Sequence, residues 1–162
     1  HPFGKEARTI RVSPYYLKQY NNCWFLIAKH NDCPYFSNYA IDRIENITER
    51  TDEYQPLSED FDFDEYFSDV IGVSVTSEPV EDVELHVTDN ALGYIITKPL
   101  HESQSRPERL DNGKWKITLK VQPNYEFFSL IRSFGDGIEI AQPETMRINM
   151  KEMVEKIAAM YK

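Results

Sequence analysis

The sequence predicts an α+β protein of two small lobes, the first made of short strands and the second of strands alternating with helices. Three observations lead there. Residues 9–48 carry several short extended runs separated by polar, turn-forming residues. Residues 80–141 switch back and forth between a two-residue and a 3.6-residue hydrophobic period. Hydrophobic residues make up 41% of the 162 and aromatics 13%, enough to build real cores.

The elements follow in order. Ile10 and Val12 alternate with Thr9, Arg11 and Ser13, and Pro14 interrupts that ladder as an edge strand allows. Trp24 to Ala28 is an apolar run suited to a strand buried on both faces, so Trp24 reads as core. Lys29 to Pro34 forms a turn. Tyr35 to Ile44 is extended, and Ile47-Thr48 begins another strand. Several strands in about 50 residues point to a small barrel. After the polar stretch Thr51 to Asp60, Phe63, Tyr66 and Phe67 stand at i, i+3 and i+4, a short amphipathic helix with an acidic outer face.

Val80 to Val87 is a strand with Val83, Leu85 and Val87 inward. Asn90 to Thr97 is a helix capped by Asp89 and stopped before Pro99. Ser103 to Leu110 supplies a strand, and Trp115 to Val121 alternates again. Tyr125 to Phe134 is a helix with Phe127, Phe128, Ile131 and Phe134 on one stripe and Gly135 as its stop. Asp136-Gly137 turns the chain into a strand from Ile138 to Ala141. The result is β-α-β-β-α-β, the ferredoxin-like order. A last helix carries Met146, Met150, Met153, Val154, Ile157 and Tyr161 on one side. The domain boundaries are therefore expected at 1–58, 59–76 (a linker with the short helix) and 77–162.

Charge and motifs narrow the function. The net charge of −9 argues against the chain itself gripping duplex DNA, which calls for a basic face. An anion remains bindable in a local pocket of a few cationic groups. Cys23 and Cys33 are too few for a disulfide framework and read as reduced cytosolic thiols. No run approaches the ~20 apolar residues of a membrane span, and His1 to Lys5 lack the order of a secretory signal. The absence of an initiator Met suggests a piece of something longer. Asp60, Asp62 and Asp64 mimic a calcium loop, but Glu65 and Ile71 occupy its Gly and Glu positions. No zinc spacing, GxSxG, P-loop or GxGxxG occurs, so the expectation is a non-enzyme without cofactor or metal.

The landmarks together resemble a known family. Arg11-Val-Ser-Pro14-Tyr-Tyr-Leu17, followed by Asn22-Cys-Trp24-Phe25-Leu26-Ile-Ala28, is similar to the region that names the WYL domain, with Phe25 in place of Tyr. Asp42-Arg43-Ile44 resembles the family's Leu-Asp-Arg-Ile strand. Ala40 stands where members often carry Arg, so one cation of the usual pocket is replaced. The second half resembles the C-terminal extension that follows WYL domains. Its landmarks are Phe61 to Phe67, Gly72-Val73, Pro99 to Gln104, Asn124-Tyr-Glu126, Ser133 to Asp136, and Pro143 with Met146-Arg147.

The resemblance implies a Sm/SH3-like barrel joined to the ferredoxin-like half. It also implies a cytoplasmic transcriptional regulator, here without its DNA-binding helix-turn-helix. That regulator senses a nucleotide-like or single-stranded nucleic-acid effector. The apolar Met stripe of the last helix and a truncated barrel edge point to a homodimer, and the alternative reading is a structural dimerisation module without a ligand. Arg offers a planar fork for phosphate and aromatics offer stacking faces. On that footing the candidate ligand-binding residues are Tyr16, Arg43, His101, Gln104 and Arg132.

Overall fold

The computed structural model describes residues 7–30, 33–50 and 54–162. The N-terminal His1 to Lys5, residues 31–32 of the expected turn and 51–53 of the expected polar stretch lie mainly or wholly outside them. The chain divides into two compact units, residues 1–66 and 67–162. Both belong to the α+β class, each around one antiparallel sheet.

The first unit holds β1 (Val12–Tyr20), β2 (Cys23–His30) and β3 (Phe36–Ala40), antiparallel in that order. Asn21 and Asn22 have φ of 48° and 62° and connect the paired residues Tyr20 and Cys23. A two-residue hairpin needs φ > 0 at both positions, and Asn tolerates it. β1 is an edge strand, and its ladder slips between Pro14 and Tyr16, where proline has no N–H to give.

Several expectations are corrected here. The three described strands form an open sheet and close no barrel among the described residues. The extended run ends at Ala40, because Ile41–Arg43 is a 3₁₀ turn closed by the Ile44 N–H on the Ile41 carbonyl at 3.1 Å. Ile47 and Thr48 form no strand, and Ile47 is 84% exposed. A lone extended segment gains too little without a ladder partner. Trp24 is not core: it sits beside the hairpin turn, 49% exposed, while Ile27 and Ala28 farther along β2 are fully buried. In β1 the buried residue is Ser13 rather than its apolar neighbours, because its hydroxyl accepts the Gln55 N–H at 3.1 Å.

The core of this unit is largely aromatic. Residues 54–66 run back along the sheet, tied by the Tyr15 hydroxyl donating to the Gln55 carbonyl at 2.6 Å. Phe36 meets Tyr15, Phe61, Phe63 and Tyr66 with ring centroids 5.0–5.7 Å apart, mostly edge-on. α1 (Phe63–Phe67) starts where the Asp62 carboxylate accepts the Asp64 N–H at 2.7 Å.

The second unit contains β4 (Glu81–Val87), α2 (Asp89–Thr97), β5 (Glu108–Arg109), β6 (Trp115–Val121), α3 (Tyr125–Ser133), β7 (Ile138–Gln142) and α4 (Glu144–Ala159). The sheet order is β5-β6-β4-β7. Leu85 stands between Ile117 and Ile140, and Val83 opposite Leu119. With Ile95, Phe127, Ile131 and Met146 these side chains form the buried core. α2 is capped by Thr88, whose hydroxyl accepts the Ala91 N–H, rather than by Asp89. The Asp89 carboxylate instead takes Arg109 and the Trp115 indole N–H.

The strand expected from Ser103 to Leu110 shortens to two residues for a chemical reason. The hydroxyls of Ser103 and Ser105 accept the N–H groups of Lys120 and Thr118 at 2.8 and 2.9 Å, so side chains stand in for backbone carbonyls there. In α4, Met146 is buried and Met150 and Met153 pack against the core, but Val154 and Ile157 are exposed, as is Tyr161 beyond the helix end. No helix among the described residues is long and apolar enough to cross a membrane.

Candidate functional site

In the first unit, β1 carries Tyr16 level with Ile27 and Asn38. Its ring lies on Phe63 with centroids 4.6 Å apart and planes 12° from parallel. Beside it opens a depression of about 500 Å³, lined by Tyr16, Phe61 and Phe63 and by Glu59, Asp60, Asp62 and Asp64. Three aromatic residues and four carboxylates thus make up its lining. Lys18, two residues from Tyr16, has its ammonium pushed below the usual lysine range by burial, partly offset by attraction to Asp64. The Tyr66 hydroxyl is pushed up by burial. Arg43 is exposed in the turn after β3 and does not line this depression.

In the second unit, His101 and Gln104 lie in the loop after α2. The His101 Nδ1 meets the Ser103 hydroxyl at 2.8 Å. Gln104 is engaged at both ends of its carboxamide: its Nε2 donates to the Ile95 carbonyl at 2.9 Å and its Oε1 accepts the Leu100 N–H at 2.9 Å. It closes the C-terminal end of α2 onto the loop. Arg132 is half-buried on α3 and donates to the Met153 sulfur at 2.8 Å. His101 and Gln104 are thus neighbours, while Arg132 is tied to α4.

Two polar clusters escaped the sequence reading. Arg109 stacks over Trp115, 4.8 Å from the ring, while both bind Asp89. Those hydrogen bonds, from Arg109 first and Trp115 second, hold the Asp89 carboxyl below its ordinary range. On β7, the Lys114 ammonium does the same to Glu139 at 2.8 Å, with Arg147 at 3.4 Å. The contributing residues are far apart in the chain, so no local motif announces either cluster.

A third cluster surrounds Glu126, in the first turn of α3. Its Oε1 accepts the Ser74 hydroxyl at 2.7 Å and lies 3.5 Å from the Val73 N–H. Its Oε2 is buried with no hydrogen-bond partner among the described residues. Asn124, the N-cap of α3, accepts the Phe127 N–H at 2.7 Å and donates to the carbonyls of Ile71 and Ser74, both at 2.9 Å. The landmarks Gly72-Val73 and Asn124-Tyr-Glu126, 50 residues apart in the chain, therefore meet.

Comparison with known proteins defines the class: residues 1–49 match the WYL domain and residues 79–158 the WCX domain. The chain thus belongs to the WYL-domain proteins, with a WCX domain as its second half. No curated protein matches it. Among solved structures it is similar to proteasome accessory factor B/C (PafBC) of Arthrobacter aurescens, at 16% identity and a TM-score of 0.35. The match covers 86% of this chain and 21% of that one, so the chain spans about a fifth of that protein's length.

Proposed function

We propose that this chain is the ligand-sensing effector region of a transcriptional regulator, non-enzymatic, controlling a DNA-binding domain outside this sequence. The effector is an anion of the nucleotide or single-stranded nucleic-acid class. The observation that carries this reading is the ordered pair of matches, WYL over residues 1–49 and WCX over 79–158. The strand order β5-β6-β4-β7 with α2 and α3 as crossovers supports a ferredoxin-like second half, and the β1-β2-β3 sheet is the start of a Sm/SH3-like one.

The geometry sharpens which residues can meet such an effector. Phe63 already occupies one face of the Tyr16 ring, and the carboxylates beside it repel phosphate. Arg43 is exposed away from that acidic wall and is the phosphate anchor of the first unit. His101 and Arg132 are the candidates of the second. Gln104 contributes by fixing the loop that carries His101.

The test is fluorescence anisotropy with labelled short single-stranded DNA, RNA and cyclic nucleotides, at two salt concentrations. Arg43→Ala and Arg132→Ala are each expected to weaken binding roughly 10-fold or more, as loss of a charge-assisted hydrogen bond does. Each is also expected to flatten the salt dependence. Binding unchanged in both variants refutes the site.

A second reading, a dimerisation module, rests on the last turns of α4 and the two residues after it, where Val154, Ile157, Met160 and Tyr161 are 43–87% exposed. Both roles are compatible in one chain.

A further inference from the structure

Residues 67–78 precede the sheet of the second unit and are held to it in two different ways. The first part is anchored by apolar side chains: Phe67, Val70, Ile71 and Val73 are all buried. From Ser74 onward that anchoring stops, and the side chains of Ser74 to Glu78 are half-buried or exposed. This part is held by polar bonds to the alternate residues Gln122, Asn124 and Glu126. Gln122 accepts the Thr76 N–H at 2.7 Å and donates to the carbonyls of Thr76 and Glu78 at 3.0 and 2.7 Å. Asn124 donates to the Ser74 carbonyl, and the Ser74 hydroxyl donates to Glu126. Glu126 is only 9% exposed, and its second oxygen finds no partner among the described residues.

We propose that Ser74 to Glu78 is a flap that opens as a local unit, with the Ser74–Glu126 contact as its latch. Residues 67–73 and the sheet stay folded when it opens. Two opposing effects decide this. Opening breaks several hydrogen bonds, but water replaces each of them, so the net loss per bond is small. Little apolar surface is exposed, which is what separates a locally opening segment from the cooperative core. Opening also lets water reach the Glu126 carboxylate from its Ser74 side, and because the second oxygen of that carboxylate has no partner among the described residues this favours the open state. The opened flap uncovers a carboxyl and two carboxamides beside the start of α3.

Native-state hydrogen exchange on the whole chain tests this. The Thr76 amide reports on the flap, and the amides of β4 and β6 report on the core. Thr76 is expected to exchange faster than the core amides by a sub-global opening. Ser74→Ala should accelerate Thr76 about fivefold or more, the equivalent of one hydrogen bond, and accelerate β4 and β6 amides that exchange by global unfolding by no more than that same factor, because the bond is absent from both open states. Ser74→Thr, which keeps the hydroxyl, should stay near the parent rate. The proposal is overturned if Thr76 exchanges together with the core amides in the parent chain. It also fails if Ser74→Ala leaves the Thr76 rate unchanged.

Discussion

Gly72 shows how one residue is fixed by both backbone and packing. Its φ is +86°, and a Cβ placed on it would lie 2.5 Å from the Glu126 Cγ. Left-handed backbone costs an L-residue about 1–2 kcal/mol, and overpacking adds about 1–3. Gly72→Ala should therefore destabilise the second unit by roughly 2–5 kcal/mol, read as a lowered denaturation midpoint. A loss of only about 1–2 kcal/mol would mean that Glu126 yields freely and the backbone cost alone remains. Trp24 teaches the opposite lesson. Its composition reads as core, but its place beside the Asn21-Asn22 turn leaves half of it in solvent. Burial depends on what lies opposite, and a run of apolar letters does not say that.

Among the elements, α3 and its entry carry the most. The spacing of Phe127, Phe128 and Ile131 was legible, because a helix that packs on a sheet must show a 3.6-residue stripe. Illegible was the work of Asn124, which caps α3 and holds two carbonyls of a segment 50 residues earlier. Asn124→Ala removes the cap, worth about 0.5–2 kcal/mol, and strands buried carbonyls at about 1–3 more. A total loss of roughly 2–4 kcal/mol is expected in urea unfolding, against about 1 if capping were its only task. The first-unit strands were read less well. Residues 41–48 carry strand-like letters, yet the ladder ends at Ala40, since extended backbone needs a partner to bond. The second-unit strands β4 and β6 matched their alternation because each is paired on both sides, by β6 and β7 and by β4 and β5.

For the molecule as a whole, charge and exposed apolar surface set what it can meet. A chain at −9 repels nucleic acid at long range, so any anionic effector must be won locally and lost quickly with salt. The dimerisation reading rests on apolar residues exposed toward the end of the chain, Val154 and Ile157 among them. If they do pair two copies, Ile157→Asp should shift sedimentation from dimer toward monomer, because each copy would place a charge in an apolar seam. A parent chain that sediments as a monomer at high concentration removes the dimerisation reading. The same chain could still bind its effector, so the two readings are separable.

Local periodicity fixed the α+β class and the β-α-β-β-α-β order of the second half. Membership of the WYL class was readable because short motifs recur in a set order along the chain. Periodicity and motif are properties of neighbours in sequence, and a reader of the letters has them all. Which side chains share a site is a matter of neighbours in space. Folding put carboxylates beside Tyr16, moved Arg43 off a strand into an exposed turn, and committed Gln104 to backbone carbonyl and N–H groups. It also joined Gly72, Ser74 and Glu126 across 50 residues. Electrostatics and hydrogen bonding act over a few ångströms, so those assignments waited on the packed chain.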